Sequence, residues 1–291
     1  MATRRFVRRS AAAAVAVTVL ALLSACGSDA PVPLRVGSDD TSAMRVAAQI
    51  YGQALARTGL PIDVVARKAG ERRLLDDAAQ GELDLFPAFT GDLLTELTPE
   101  REAVGGEEVA AAVSRALPQG VTIGDPAAVS DRRQLVLAQS LAASAGVTDL
   151  ADCAKLPPGL PLVTTGQLSS SDRQAFDRCR IGPILADRTP AQVIDAVRDG
   201  RAVGALTGLE SATALTGHDD LLSLRSAASG PIAQELVPVY RSAVVGKPQM
   251  KALSRVAGEL TTADLAELAA RVDGGADPAA VAGGWLGTHG V

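Results

Sequence analysis

The chain has 291 residues, of which 47 % are apolar and 2 % aromatic, and its formal net charge is −5. The apolar content excludes a chain that is disordered throughout, and the acidic balance argues against nucleic acid as a partner. The length is enough to bury a large core in one or two domains, which Ala, Val and Leu must mostly build because aromatic residues are scarce.

The first 25 residues have the pattern of a cleaved export signal. Four arginines within the first nine residues precede an uncharged run from Ala11 to Leu23, which is too short to span a bilayer. The run ends in Leu-Ser-Ala-Cys at 23–26, which has the form of a bacterial lipobox. This resemblance to lipoprotein signals implies cleavage before Cys26 and lipid attachment to that cysteine. An uncleaved anchor is the alternative, and the pattern leaves the Sec and twin-arginine routes both open.

Removal of residues 1–25 would leave a lipidated tether at 26–33 and an acidic mature protein. The four arginines leave with the signal, so the net charge falls from −5 to −9. No second apolar run of membrane-spanning length follows, so the lipid on Cys26 is the predicted membrane attachment. We expect the protein on the outer face of the cytoplasmic membrane.

The two remaining cysteines, Cys153 and Cys179, form an even pair in an oxidising compartment. A disulfide between them is therefore the first expectation, and two free thiols are the alternative. A metal site is not expected, because two cysteines and the distant His218 and His289 lack ligand spacing.

Strands and helices alternate at the start of the exported chain. Asp40 or Thr41 is placed to cap the first helix and Gly59 to end it. This alternation predicts an α/β fold with a mostly parallel sheet and helices on both faces. The predicted elements are strands at 34–36, 62–66 and 83–86, the capped helix, and helices at 71–80 and 91–96.

The segment Leu75–Leu85 has a weak internal echo at Ile194–Gly204. In both copies a helix ends at a glycine before a strand, and Thr-Gly follows at 90–91 and at 207–208. The echo favours two similar lobes, although helix, glycine and strand also form a common joint of α/β proteins.

The middle and the end of the chain continue the α/β pattern. We predict lobe 1 at 34–128 plus 235–291 and lobe 2 at 129–234, so that the chain crosses twice between them and forms a hinge. The remaining predicted elements are strands at 135–138, 160–165 and 236–240, helices starting near Thr148, Ser170 and Pro190, a polar turn at 227–230, and helices at 250–259, 262–271 and 278–286.

One internal motif is more specific than the rest. The run Gly81 to Gly91 reads Gly-Glu-Leu-Asp-Leu-Phe-Pro-Ala-Phe-Thr-Gly. It resembles the substrate-binding proteins of ABC importers for glycine betaine, choline and carnitine, in which a Gly-Glu-Ile-Asp strand leads into Tyr-Pro-Glu-Tyr-Thr-Gly. The opening at 36–38 and the C-terminal helices from Leu260 to Leu286 are similar to that family as well.

This resemblance implies a two-lobed, hinged fold of the type II periplasmic-binding-protein class that closes on a small solute. It implies an ABC permease as partner, a monomer, and neither enzymatic activity nor a cofactor. Phe86 and Phe89 stand where the family has tyrosines of an aromatic cage, which would hold a methylated cation by cation–π attraction.

The other candidate ligand contacts lie in turns and at helix starts. Ser38 follows the first strand, and Thr41 and Thr90 are at helix N-termini that could hold a carboxylate. Asp39 and Glu210 could face a cationic group, although solvated turn acids and caps are the plainer interpretation. Three further positions complete the set: Thr207 beside the second Thr-Gly, Arg173 as a carboxylate clamp, and Asp40 as an alternative turn acid.

The sequence argues against a hydrolase and against nucleotide binding, and it leaves one alternative function open. A serine hydrolase would need a Gly-x-Ser-x-Gly elbow and a positioned histidine, and the sequence has neither. No glycine-rich phosphate loop predicts nucleotide binding. The scarcity of aromatic residues keeps open a surface lipoprotein of the same fold that senses a ligand or scaffolds a complex.

Overall fold

Two five-stranded sheets, each covered by helices, make up the fold. The computed structural model describes residues 32–66, 70–98, 103–225 and 230–291, so the signal peptide, Cys26 and most of the predicted turn at 227–230 lie outside the described residues. From Pro33 to Val291 the chain forms one compact unit. No helix in these described ranges is long and apolar enough to cross a membrane.

The described elements follow one another in an α/β order. In chain order they are β1 (Leu34–Ser38), α1 (Ser42–Ala56), β2 (Ile62–Ala66), α2 (Glu71–Gln80), β3 (Leu85–Phe89), α3 (Thr90–Leu97), α4 (Gly106–Ala116), β4 (Val121–Ile123), β5 (Gln134–Ala138), α5 (Gln139–Ala145), a 3₁₀ helix (Leu150–Lys155), β6 (Leu162–Thr164), α6 (Ser170–Phe176), a 3₁₀ turn (Asp177–Cys179), β7 (Ile184–Leu185), α7 (Pro190–Val197), β8 (Val203–Leu206), α8 (Gly208–Ala214), β9 (Leu221–Leu224), β10 (Leu236–Arg241), α9 (Lys247–Glu259), α10 (Thr262–Asp273) and α11 (Pro278–His289).

The two sheets share one topology. The first has the order β2-β1-β3-β10-β4 and the second β7-β6-β8-β5-β9. In each sheet the fourth strand, β10 or β5, runs antiparallel to both neighbours, while the others are parallel to one another. Both sheets are therefore mixed, with two parallel and two antiparallel pairings each, where the sequence predicted a mostly parallel sheet. The exceptions have a physical reason, since β5 and β10 are the strands at which the chain arrives from the other sheet rather than through a βαβ crossover.

The internal echo corresponds to equivalent places in the two sheets. The first copy forms α2 and leads into β3, and the second forms α7 and leads into β8. Both strands are third in their sheets. The Thr-Gly pairs then begin helices α3 and α8, so the echo reflects a repeated unit of structure.

Side chains on the two faces of the first sheet enter different cores. Along β3, Leu85 and Phe89 join the core beneath α1, α10 and α11, whereas Phe86 and Ala88 join the core beneath α2, α3 and α4. This alternation is the period-two pattern of a strand covered on both faces.

Residues of the Gly81–Gly91 motif tie β3 into the sheet. Gly81 ends α2 with a φ of 77°, a left-handed conformation that favours glycine. Asp84 accepts hydrogen bonds of 2.9 Å from the backbone of Arg35 and from Nη1 of Arg241. The strand extends to residue 89 rather than ending at 86 as predicted, because Pro87 faces Pro238 of β10 and neither proline needs an N–H there.

Several short elements were not predicted from the sequence, namely α4, β4, α5, β7, α8 and β9. Helix α4 starts at Gly105-Gly106 without a side-chain cap, so it lacks the usual start signal. The helix predicted near Thr148 is a 3₁₀ helix that Asp149 caps through the N–H of Ala151.

Cys153 and Cys179 form a disulfide. The bond joins the two 3₁₀ segments of the second sheet's core, where both cysteines are buried. It therefore fastens a part of the molecule that has little regular structure.

Candidate functional site

A cavity of about 230 Å³ lies beyond the carboxyl ends of β3, β6 and β8, since residues that follow these three strands line it. Open α/β sheets bind ligands at this edge. The rest of its lining comes from the two segments that cross between the sheets: the first crossing segment, between β4 and β5, and the second crossing segment, between β9 and β10. Its lining residues are Asp92, Thr95, Asp131, Arg133, Ser169, Ser171, Asp172, Thr207, Pro231, Ile232 and Gln234.

The turn after β1 binds its own polar groups. Oδ1 of Asp39 accepts hydrogen bonds from the N–H (2.8 Å) and the hydroxyl (2.7 Å) of Thr41. Thr41 in turn caps α1 by accepting from the N–H of Met44. Ser38, the last residue of β1, is buried. The polar atoms of Asp39 and Thr41 thus form an intact cap, which is the plainer of the two interpretations made from the sequence.

The two predicted cage phenylalanines have different environments. Phe86 is completely buried and packs among Leu74, Leu93 and Val109 in the core beneath α2, α3 and α4. That position does not agree with a ligand-contacting wall, because strand alternation directs its ring away from the sheet face that Phe89 occupies. Phe89, the last residue of β3, is 8 % exposed and packs in the core beneath α1, α10 and α11. Neither phenylalanine is among the residues that line the cavity.

The backbone N–H groups at the start of α3, predicted as an anion contact, already donate to an acceptor within the chain. Oε1 of Gln234 accepts from the N–H groups of Gly91 (2.9 Å) and Asp92 (3.1 Å). The hydroxyl of Thr90 is buried and accepts from the N–H of Glu235 at 3.0 Å. An anion at this helix end would have to displace Gln234.

A carboxyl missed by the sequence analysis lies beside this helix start. Burial, together with the negative charges of Asp92, Asp39 and Glu96, raises the pKa of Glu71 to about 8, and the backbone N–H of Phe89 opposes the shift only in part. Glu71 opens α2, where the sequence offered only the ordinary first-turn acid of a helix. Without a cationic neighbour this carboxyl holds a proton at neutral pH.

Thr207 and Glu210 form a capping box at the start of α8. The Thr207 hydroxyl accepts from the N–H of Glu210, and Oε2 of Glu210 accepts from the N–H of Thr207 (2.9 Å) and the hydroxyl of Thr165 (3.0 Å). Glu210 is therefore a structural acid whose charge faces the cavity region and whose oxygens are largely used.

Asp131 brings a further carboxylate to the same place from the first crossing segment. Its Oδ1 accepts from the N–H of Leu209 at 2.8 Å. Burial raises the pKa of Asp131 to about 6, and the charges of Glu210 and Asp92 contribute to the rise, while hydrogen bonds from Thr207 and Leu209 oppose it. No sequence pattern indicates Asp131, because it lies in a loop and its hydrogen-bond partner, Leu209, is 78 residues away.

The arginine of the cavity is Arg133, not the predicted Arg173. Arg173 is exposed and lines no part of the cavity. Successive residues of a helix point about 100° apart, so Asp172 faces the cavity when its neighbour Arg173 faces solvent. Asp172 pairs with Nε of Arg133 at 3.5 Å. Nη1 of Arg133 also donates to the Thr164 hydroxyl at 3.2 Å, which fixes the guanidinium at the strand edge.

The site as a whole carries an excess of negative charge. Three aspartates, Asp92, Asp131 and Asp172, line the cavity together with one arginine. The charge of Asp92 contributes to the raised pKa of Glu71, and the charge of Glu210 contributes to the raised pKa of Asp131. Such a cavity favours a ligand with a positive group, whose charge would lower the raised pKa values. Within the described residues, no group of three or more His, Cys, Asp or Glu is arranged to hold a metal ion.

Comparisons with known proteins agree with the fold. Residues 32–176 match the family model of the substrate binding domain of the ABC-type glycine betaine transport system. The structure is similar to apo YehZ from Escherichia coli, with a TM-score of 0.69 and 20 % identity over 89 % of this chain and 99 % of that one.

Two other solved structures share the fold. A glycine betaine/carnitine/choline ABC transporter protein aligns with a TM-score of 0.71 and 15 % identity over 88 % of this chain and 98 % of that one. Lactococcal OpuAC in its closed-liganded conformation with glycine betaine aligns with a TM-score of 0.53 and 12 % identity over 88 % and 96 %. No curated protein matches the chain in sequence. The predicted two-lobed, type II binding-protein fold is thereby confirmed.

Proposed function

Through residues 32–176 the chain belongs to the family of substrate-binding domains of ABC-type glycine betaine transport systems, and from this premise we propose that it captures a small osmoprotectant-type solute for an ABC importer. Glycine betaine, choline and carnitine define the class. The bound form would dock on a membrane permease. We place the protein outside the cytoplasm, held as a monomer to the outer face of the membrane by a lipid on Cys26.

The observation that carries this proposal is the acidic cavity at the facing strand ends of the two sheets. A permanent cation cannot donate hydrogen bonds, so it needs either aromatic faces or negative charge. The cavity lining includes no aromatic residue. We propose that carboxylates, above all Asp131 and Asp92, supply most of the attraction, with Phe89 at the edge of β3 as the aromatic contribution.

Capture would proceed by closure of lobe 1 (34–128 plus 235–291) on lobe 2 (129–234). The segments that cross between the sheets, which hold Asp131 and Gln234, are the hinge in this mechanism. A ligand that touches both lobes has more contacts in the closed state than in the open one, so it shifts the population toward closure.

Calorimetry tests the proposal. The chain from residue 27 onward, freed of carried ligand, is titrated with glycine betaine, choline, carnitine and proline betaine, with glucose and acetate as controls. One-to-one binding of a quaternary ammonium, weakened by Asp131→Asn and unchanged by the exposed Asp195→Asn, supports it. The absence of aromatic residues from the cavity lining also favours a second candidate, a sensing or scaffolding lipoprotein. If no solute binds, the result supports that candidate instead.

A further inference from the structure

A second and larger cavity, of about 600 Å³, lies on the other side of Arg133. Its walls come from the second sheet's edge, from α8, from both crossing segments and from α10. The residues that matter below are Arg132, Arg133, Gln134, Ser211, Arg225 and Thr262.

This cavity is basic where the first is acidic. Three arginines line it, and its lining includes no Asp or Glu. Nε of Arg225 donates to Oε1 of Gln134 at 3.0 Å, and Arg225 makes no ion pair with any described residue. Arg225 is an exposed residue of the cavity wall, and its guanidinium has no acidic partner among the described residues.

The other two arginines are held in place by neighbouring groups. Arg132 donates from Nε to the carbonyl of Pro231. Burial lowers its pKa, and the nearby charge of Glu235 opposes that shift in part. Arg133 is shared between the two cavities and is paired with Asp172. The fixed guanidinium groups therefore present positive charge without needing to move.

A buried hydroxyl with no partner points to a missing ligand. Ser211 of α8 is 3 % exposed, lines the cavity, and its Oγ has no hydrogen-bond partner among the described residues. The other hydroxyls of this helix end behave differently, since Thr213 donates to the carbonyl of Glu210 and Thr216 to that of Ala212. Buried hydroxyls are nearly always satisfied, so an orphaned one beside a cavity calls for an acceptor within it.

We propose that this cavity is a second ligand site, which binds the carboxylate or phosphate group of a small organic anion through Arg225, Arg133 and the hydroxyl of Ser211. Arginine forks match both oxyanions, and the serine hydroxyl donates the remaining hydrogen bond. The volume is much larger than a bare inorganic anion, which is why the ligand is assigned as organic.

The site shares Arg133 with the acidic cavity but differs from it in its other ligand groups and in its charge. It uses no carboxylate of the acidic cavity, and the acidic cavity does not include Ser211 or Arg225. The inference therefore does not depend on the importer proposal and can succeed or fail without it.

Calorimetric titration tests the proposal with citrate, glycerol 3-phosphate and inorganic phosphate as probes, on the chain from residue 27 onward. We expect one equivalent of citrate or glycerol 3-phosphate to bind more tightly than inorganic phosphate. Arg225→Gln is expected to weaken binding by about tenfold and Ser211→Ala by several-fold, while the exposed Arg178→Gln leaves it within about twofold. Thermal melting of each variant checks that it is folded.

Three results would overturn the proposal: no saturable binding of any probe, equal weakening by Arg178→Gln, or loss of anion binding when glycine betaine is saturating. The last result would mean that the basic cavity belongs to the solute site. Retention of one anion equivalent in saturating glycine betaine, with the Arg225→Gln effect preserved, supports two independent sites.

Discussion

The side-chain oxygen of Gln234 lies 2.9 Å from the backbone nitrogen of Gly91 and accepts its hydrogen bond. The second crossing segment thus provides the cap of a helix that belongs to the first sheet. A Cβ at position 91 would lie 2.6 Å from the carbonyl oxygen of Ala233, so only glycine allows this close approach. Hydrogen bonds of Gln234 and Glu235 to Thr90, Gly91 and Asp92 thus join this crossing segment to α3 beside the acidic cavity.

Removal of this cap should destabilise the protein without unfolding it. Gln234→Ala leaves the N–H groups of Gly91 and Asp92 without their acceptor, and loss of an N-cap costs about 1 kcal/mol. The free energy of unfolding in urea measures the effect. The matched control is Gln167→Ala: among the described residues the Gln167 side chain donates to the exposed Asp187, so its loss should change stability little. Equal effects of the two changes would contradict the capping role.

The sequence predicts those features of the fold and site whose residues lie close together in the chain. The helix, glycine and strand echo around Gly81 and Gly200 was found because all its parts are adjacent in the chain. Capping boxes such as Thr207 with Glu210 are local for the same reason. These signals were enough for the fold class and for the strand ends that carry the site.

The residues that give the site its charge could not be found in this way. Asp131 meets Leu209 across 78 positions, and Gln234 meets Gly91 across 143. The sequence does not show which face of α6 points inward, so the prediction named Arg173 rather than Arg133 as the arginine of the cavity. Phe86 was placed at the ligand by analogy, although strand alternation assigns it to the opposite face from Phe89.

Phe86 should behave as a core residue in mutagenesis. Phe86→Ala removes a completely buried ring, so we expect a loss of about 3–5 kcal/mol in the free energy of unfolding. Among molecules that remain folded, affinity for a quaternary ammonium should be unchanged. Phe89→Ala is the matched comparison, with reduced affinity expected. If Phe86→Ala weakened binding in protein that is fully folded, Phe86 would have to contact the ligand.

The disulfide should stabilise the second sheet's core. Cys153 and Cys179 are separated by 26 positions, and a loop of that size contributes about 3 kcal/mol in the chain-entropy model. The double variant Cys153→Ala with Cys179→Ala should therefore lower the free energy of unfolding by about that amount. Reducing agent should destabilise the parent protein and leave the double variant unaffected. Free thiols in the native, unreduced protein would contradict the bond.

Stability should fall as pH rises through the pKa of Glu71. That pKa is about 8 in the folded protein, above its value of 4.5 in the unfolded chain, so the unfolded state binds fewer protons between these values. The stabilisation is fully present below pH 4.5 and is lost as pH approaches and passes 8. Urea midpoints at pH 5, 7 and 9 should show this decline, and Glu71→Gln should flatten it. The exposed Glu107→Gln is the control and should keep the parent's pH dependence.

Binding of a cationic solute should release protons near neutral pH. A positive group in the acidic cavity favours the ionised forms of Glu71 and Asp131, whose pKa values are raised to about 8 and about 6. At pH 7 most of the release must come from Glu71, because Asp131 is already largely ionised. Calorimetry in buffers of different ionisation enthalpy counts the protons. We expect release with choline, nearly abolished by Glu71→Gln and retained in Glu107→Gln. Cation binding with no proton release in the parent protein would show that the solute lies away from these carboxyls and would move the site out of the acidic cavity.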